Sequence, residues 1–403
     1  MTNSWEDLAV AVASNKEAFN RVLLITNSSK FDFALHYEER FEMRITNLVA
    51  EKKTVQKLAA TTFSDLRAGQ TGVAAENIRV MLALVEGTSD ERTAISQLVR
   101  IAIAQIACAT TWEFLQSSNV TDAQLAELQA DWSRPEFIRA MINVMPLEQE
   151  GAEYEIGKWH RSLKEMRRYE ELSKTVSAAL GHFQEEENFL GKADKYRKMF
   201  LWHYWWSYPN ELRYLKGLQV LTDTMRQIAT NGVFHDALAN QDVELDRLGI
   251  SKFNSSLDSL FAGKTDYHNM LSESVITLTR LAVKVMSVET ARQVSMTAVA
   301  LKRFQLKNNR YPPDLKALVP EFFASVPCDP VDGQPLRYKL NSDGTFSLYS
   351  IAENGKDDGG NPSMEKKQDS SIFNWLNPRA LDWVWPQPVT DTEIKYFYEH
   401  PPK

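Results

Sequence analysis

The chain has 403 residues, with 53 acidic against 46 basic side chains and a formal net charge of −7. That length suits two domains, and a hydrophobic content of 43% supplies an ordinary core. The acidic balance and the lack of a long Lys/Arg run exclude nucleic acid as an expected partner, because a phosphate-binding surface needs clustered positive charge.

Residues 5–281 read as almost wholly helical: Gly and Pro are sparse and strand-like alternation is nearly absent. A first helix is expected from Ser4 to Leu24, and a long one over residues 33–66. Residues 74–85 and 94–114 follow, the second apolar nearly all round through Ile95, Leu98, Val99, Ile101, Ile103 and Ile106. A helix of that kind is central in its domain. Cys108 within it reads as a small core residue, and with Cys328 far off no disulfide framework is indicated.

Thr121-Asp-Ala-Gln124 and Ser133-Arg-Pro-Glu136 both have the spacing of a capping box. Helices are expected over 137–145 and 153–190, with Glu185 to Glu187 as a solvated face. The densest aromatic stretch comes next: Phe200, Trp202, Tyr204, Trp205, Trp206 and Tyr208, which Pro209 is expected to end. Core packing at a helix junction is its plainest reading. The alternative is a binding platform for a carbohydrate, a peptide or a membrane interface, since Trp and Tyr join an apolar face to a polar tip. Residues 212–230 are amphipathic and end at Asn231-Gly232, 236–261 read as irregular and polar, helix fragments joined by loops, and 269–286 resume a helix.

That helix leads into a segment of different character. Residues 289–307 keep helical spacing with a broad apolar face, and Asn308-Asn309-Arg310-Tyr311-Pro312 stops them. Asp314 can cap a short helix over 315–319 that Pro320 closes. A connector with Pro327, Pro330 and Pro335 follows. Residues 336–340 and 345–351 alternate as strands around an Asp343-Gly344 turn. The second strand runs into Glu353-Asn-Gly-Lys-Asp-Asp-Gly-Gly360, a loop rich in hard oxygen ligands and in glycine. The tail beyond carries Trp375, Trp383 and Trp385 among prolines, as an extended segment pinned by aromatics. The expected fold is therefore mainly α with a small C-terminal α+β module, divided into residues 1–284 and 285–403.

Catalytic spacings are missing from the sequence. Seven histidines are scattered without a His-x-x-x-His or Cys-x-x-Cys pair. There is no Gly-x-Ser-x-Gly elbow, no phosphate-cradling glycine loop and no Glu-x-x-His pair for a di-metal bundle. No apolar run approaches a membrane span and no signal peptide is visible.

The run Leu301-Lys-Arg-Phe-Gln-Leu-Lys-Asn-Asn-Arg-Tyr-Pro312, then Val326-Pro-Cys-Asp-Pro-Val-Asp-Gly-Gln-Pro-Leu-Arg-Tyr338, then Asn354-Gly-Lys-Asp-Asp-Gly359, resembles the soluble part of the type II secretion major pseudopilin. The whole chain is also similar to bacterial proteins that set a helical domain before such a module. The resemblance implies a long helix ending at an Asn-rich Tyr-Pro, a small antiparallel sheet, and a glycine-rich loop that binds calcium. Carried over, the implied metal ligands are Asn354, Asp357 and Asp358, with Asp369 and Asp382 as alternative matches to a downstream acidic position. Asn354 stands where the family has aspartate, which removes a charge and weakens affinity. The expectation is a non-enzymatic, envelope-associated structural or interaction protein with an unidentified protein partner. It would be periplasm-facing if an anchor precedes Met1, and cytoplasmic otherwise. The alternative is an enzyme or small-ligand-binding protein with its site near Trp202 and Tyr208.

Overall fold

The computed structural model describes residues 31–168, 196–250, 270–363 and 380–387, together with Lys395. The chain is mainly helical, with a small three-stranded antiparallel sheet near the C-terminus. Its helices include α1 (Asn47–Arg67), α2 (Thr71–Gly87), α3 (Ala94–Gln116), α4 (Asp122–Trp132), α5 (Phe137–Arg161), α6 (Ser207–Asn231), α7 (His235–Arg247) and α8 (Met270–Asn308). The strands are β1 (Arg337–Leu340), β2 (Phe346–Ser350) and β3 (Trp383–Val384). The expected helix from Ser4 to Leu24 and the candidate ligand Asp369 lie outside the described residues.

Helix α8 is the axis of the molecule. Val285, Val288, Ala291, Val294, Val299 and Leu301 are fully buried, and so are Ser287, Thr290, Ser295 and Thr297 between them. Short polar side chains cost least in a helix buried all round, because a hydroxyl can reach the carbonyl of the preceding turn. Thr297 does this by donating to the Gln293 carbonyl one turn back, at 2.8 Å, although Thr290 Oγ1 and Ser295 Oγ make no such hydrogen bond. Helices α3, α4, α5 and α6 pack on α8, and β2 packs on it from the sheet side. One hydrophobic core therefore runs from Leu58 and Ile78 through α8 to Leu348 and Trp383. Residues 284 and 285 are consecutive within α8, so the sequence boundary falls inside a continuous helix. A smaller core gathers Trp159, Trp202, Leu218, Leu245 and Val275 near the start of α8.

Local signals hold at several ends. Thr121 and Gln124 form the expected capping box on α4. Gly232 closes α6 by donating to the Ile228 carbonyl at 2.8 Å. Asp314 caps a 3-10 turn, Leu315–Leu318, through the Ala317 N–H at 3.2 Å. The β1–β2 register sets Tyr338 against Leu348 and Leu340 against Phe346, across the Asp343-Gly344 turn. The tail adds a third strand where only an extended segment was expected: β3 pairs with β2 through Ser350 and Trp383, and Trp112 Nε1 donates to the Pro386 carbonyl at 2.9 Å.

Other expectations are corrected by tertiary contacts. Residues 33–66 are not one helix; a 3-10 turn, Tyr37–Glu42, precedes α1, and Arg40 takes φ 54° and ψ −125°. Its guanidinium donates to Glu150 at 2.7 Å and lies 4.5 Å over the Tyr154 ring, which lays the segment along α5. Helix α5 does not stop before Pro146 but runs through it to Arg161. The roughly 3 kcal/mol cost of an interior proline is offset by burying Met141, Val144, Ile156 and Trp159 on one face. The expected capping box at Ser133 does not form; the Phe137 N–H instead donates to Glu289 of α8 at 3.3 Å. Of the helix fragments expected within residues 236–261, the structure shows one unbroken helix over 235–247, whose start is fixed because the Phe234 and His235 N–H groups donate to the Pro330 and Val331 carbonyls, at 3.0 and 2.9 Å.

Helix α3 is long and apolar enough by composition to cross a membrane, contrary to the sequence reading. In the fold it is a core helix: Ile103, Ala104, Ala107, Cys108 and Phe114 are fully buried, and so are Thr110 and Thr111.

Two sites give measurable consequences. At Gly217 of α6 an added Cβ would lie 2.7 Å from Val275 and 3.0 Å from Ile250, so α6 and α8 meet only because no side chain intervenes. Gly217→Val should lower unfolding free energy by about 1–3 kcal/mol in chemical denaturation, despite its better helix propensity. Glu51 and Glu91 share the Asn47 amide at 2.7 and 2.8 Å, and both are buried. Burial, with the Glu91 charge added to it, pushes the Glu51 carboxyl up to about 7 from an ordinary value of 4.5. The folded state then holds a proton that the unfolded state releases, so this contribution is present below pH 4.5 and is lost as pH rises through 7. Glu51→Gln should flatten the fall in melting temperature between pH 5 and 8, a difference of about 1–2 kcal/mol.

Candidate functional site

The connector and acidic loop bring the module's carboxylates to the sheet edge. Asp329 sits in the Pro-rich connector and is fully buried. One oxygen accepts from the Val331 N–H at 3.0 Å and the Ser350 hydroxyl at 2.8 Å. The other accepts from the Ile351 N–H at 3.2 Å and from Arg337 Nη1 at 2.9 Å. A single carboxylate thus holds the connector, β1 and the end of β2.

Arg337 forks onto Asp332 as well, at 3.1 and 2.6 Å. The two aspartates respond differently. Burial pushes the Asp332 carboxyl up, but the bidentate guanidinium more than reverses this and leaves it below the usual range. Burial also pushes Asp329 up, and there it prevails over the hydrogen bonds that favour the charge.

The loop after β2 folds on itself. Asp382, fully buried ahead of β3, accepts from the Gly360 and Asn361 N–H groups, each at 2.9 Å, and from the Asp358 N–H at 3.4 Å. Burial, together with the Asp358 charge, raises its carboxyl. Asp357 accepts from the Tyr349 hydroxyl and the Gly359 N–H, both at 3.0 Å, and its second oxygen lies 3.7 Å from Arg337 Nε. Burial, reinforced by that carboxylate, pushes Tyr349 up to about 12. Asn354 donates from its amide to Asp358 at 2.8 Å and accepts the Lys356 N–H at 3.0 Å. Gly355 at φ +67° lies against His235, where a Cβ would approach the ring to 2.2 Å. The loop is therefore seated on the start of α7.

Of the five sequence-predicted ligands, the structure places Asn354, Asp357, Asp358 and Asp382 around one turn. Oxygen-only donors suit a hard cation. Among the described residues, however, no three carboxylate, histidine or cysteine side chains converge as a metal-holding group. Asp329, Arg337 and Tyr349 were not singled out from the sequence as site residues. Asp329 follows Cys328 in a run of prolines, a pattern that marks a turn and carries no sign of burial.

The aromatic stretch divides between core and surface. Trp202 is fully buried and meets Trp159 edge-on, with ring centroids 6.1 Å apart. Phe200, Tyr204, Trp205 and Tyr208 are exposed. Pro209 does not end the helix. A π-helical turn, Trp202–Trp206, precedes α6, and side chains cover carbonyls near the change of pitch: Ser207 donates to His203 O at 3.1 Å and Asn210 to Trp206 O at 2.8 Å. His160 lies 4.2 Å from the Tyr208 ring, with Glu211 at 3.7 Å from its Nδ1. Burial lowers its pKa, against the Glu211 charge.

Comparison with family models, curated proteins and solved structures gives no match to this chain.

Removing Asp329 should be far costlier than removing Asp332. Asp329→Ala leaves two buried N–H groups and part of a guanidinium unpaired, an expected loss of about 3–5 kcal/mol. Asp332→Ala should cost about 1 kcal/mol, as its site is partly open to water. Urea titrations of the two variants give the comparison directly, and equal midpoints would contradict it.

Proposed function

We propose that this chain is a non-enzymatic structural or interaction protein of the cell envelope, built on a pseudopilin-like C-terminal module. The observation that carries this reading is the use made of the two buried aspartates. Asp329 and Asp382 both turn their oxygens onto backbone N–H groups that fix the connector and the acidic loop. Their chemistry is architectural. The exposed aromatics Phe200, Tyr204, Trp205 and Tyr208 support an interaction role, since soluble surfaces seldom cluster such side chains without a partner.

Within the same reading, the acidic loop takes a structural calcium ion. The pairing of Asp358 with Asp382 at one turn supports this, because the Asp358 charge already disfavours ionised Asp382 and a divalent cation would relieve both. Asp357 and Asp358 are the exposed members and would meet the ion first. Binding would add stability by mass action, about 2.7 kcal/mol at a hundredfold excess over Kd. The expected result is a melting temperature that rises with calcium and falls back with chelator, with no response in the Asp357→Ala/Asp358→Ala double variant. A flat wild-type melt removes the ion and leaves a loop closed by hydrogen bonds alone.

A further inference from the structure

Where the end of α3 meets α8 and the sheet, there is a cavity of about 80 Å³. Leu115 and Gln116 line it from α3, Lys302 from α8, Tyr311 from the turn after α8, Phe346 from β2 and Trp385 from beyond β3. The acidic loop takes no part in it. Leu115 and Trp385 are buried, while Lys302, Tyr311 and Phe346 are half-buried. Tyr311 and Phe346 pack edge-on, 4.8 Å between centroids, so the wall is aromatic and held in place.

Lys302 is the unusual member. Its neighbour Arg303 is matched by Asp122 at 2.7 Å, and Lys307 one turn on is matched by Glu321 at 2.6 Å. Among the described residues no carboxylate pairs with Lys302. Burial alone holds its amine below the usual lysine range, with no neighbouring charge acting on it. A half-buried ammonium without a counter-charge is unfavourable, and an anion entering the cavity would correct this.

The dimensions limit what that anion can be. Pockets for drug-sized ligands, sugars or nucleotides run to about 300–1,000 Å³, and a dry cavity near 150 Å³ takes benzene. This one has room for only a few heavy atoms. A single cationic side chain in a lining with three aromatic rings calls for a ligand with a single negative charge and a short apolar end. A fully hydrated inorganic anion would leave the aromatic wall unused.

We propose that this cavity binds a short-chain aliphatic monocarboxylate of about two to four carbons, with its carboxylate on Lys302 and its alkyl end against Phe346 and Trp385. This site is independent of the calcium reading and of the envelope assignment.

The test is a ligand-observed NMR titration of the folded 403-residue chain with propionate. Propionamide serves as the neutral isostere, inorganic phosphate as the apolar-free anion and octanoate as the oversize acid. The expected result is saturable one-to-one binding of propionate with a Kd on the order of millimolar, the range open to so small a ligand. Propionamide and phosphate should bind at least ~10-fold more weakly, for want of the charge or the alkyl contact. Octanoate should be excluded by size. Lys302→Met, checked for unchanged helix content by circular dichroism, should also lose at least ~10-fold. Undetectable propionate binding, phosphate tighter than propionate, octanoate at equal affinity, or full binding by Lys302→Met would each overturn the assignment. The propionate-to-propionamide ratio is read on the wild-type protein, so it decides the matter even if the variant folds poorly.

Discussion

Between residues 285 and 301 helix α8 meets other parts of the chain on nearly every side, and that single circumstance dictates how the rest must be arranged. A helix buried all round cannot carry long polar side chains unless each finds a partner. Its Ser and Thr are therefore short, and Thr297 back-bonds to its own preceding turn. Its one buried carboxylate, Glu289, is held by Arg292 at 2.7 Å and accepts the first N–H of α5. The helical layer and the sheet are consequently joined through one core. A disturbance on either face of α8 is transmitted to the other by packing, because a close-packed interior has no slack to absorb it.

The module is then locked to the helices by polar contacts that α8 does not make. The connector supplies carbonyls to the start of α7, and the glycine loop rests on His235 through a residue that has no side chain. These are directional contacts between segments about a hundred residues apart in sequence. They fix relative orientation, whereas the hydrophobic core supplies most of the free energy.

How much of this could be read from the residues follows from the range of each signal. Helix α4 announces itself because both halves of its cap lie within four residues, Thr121 to Gln124. The hairpin is legible for the same reason: a short loop, Asn341 to Thr345, sits between short alternating runs. Helix α7 is legible only as a fragment without clear bounds, since its first N–H groups are satisfied by Pro330 and Val331 from a distant segment. The cap of α5 is misplaced from sequence because Glu289 provides it across the core. Strand β3 is too short for periodicity to register, and only its pairing with Ser350 defines it. In the acidic loop, the residues that gather at one turn were identifiable, but Asp329 and Lys302 were not. Nothing adjacent to either shows that one would be buried among donors and the other left without a counter-charge.

The acidic loop shows why composition alone is ambiguous about chemistry. Aspartates interspersed with glycines can wrap a cation, or they can fold so that their own backbone donors meet a central carboxylate. In both cases glycine is needed for the tight path and oxygen for the acceptor, so the same letters serve either end. What separates the two is which partner neutralises the charge. Here Gly360 and Asn361 turn their N–H groups onto Asp382, giving partial positive charge, while Asp358 brings a full negative charge close by. Partial charges from two or three amides offset one carboxylate well and two carboxylates poorly. The turn therefore holds more negative charge than its own donors balance. On the calcium reading proposed above, that excess is the charge a bound cation would neutralise.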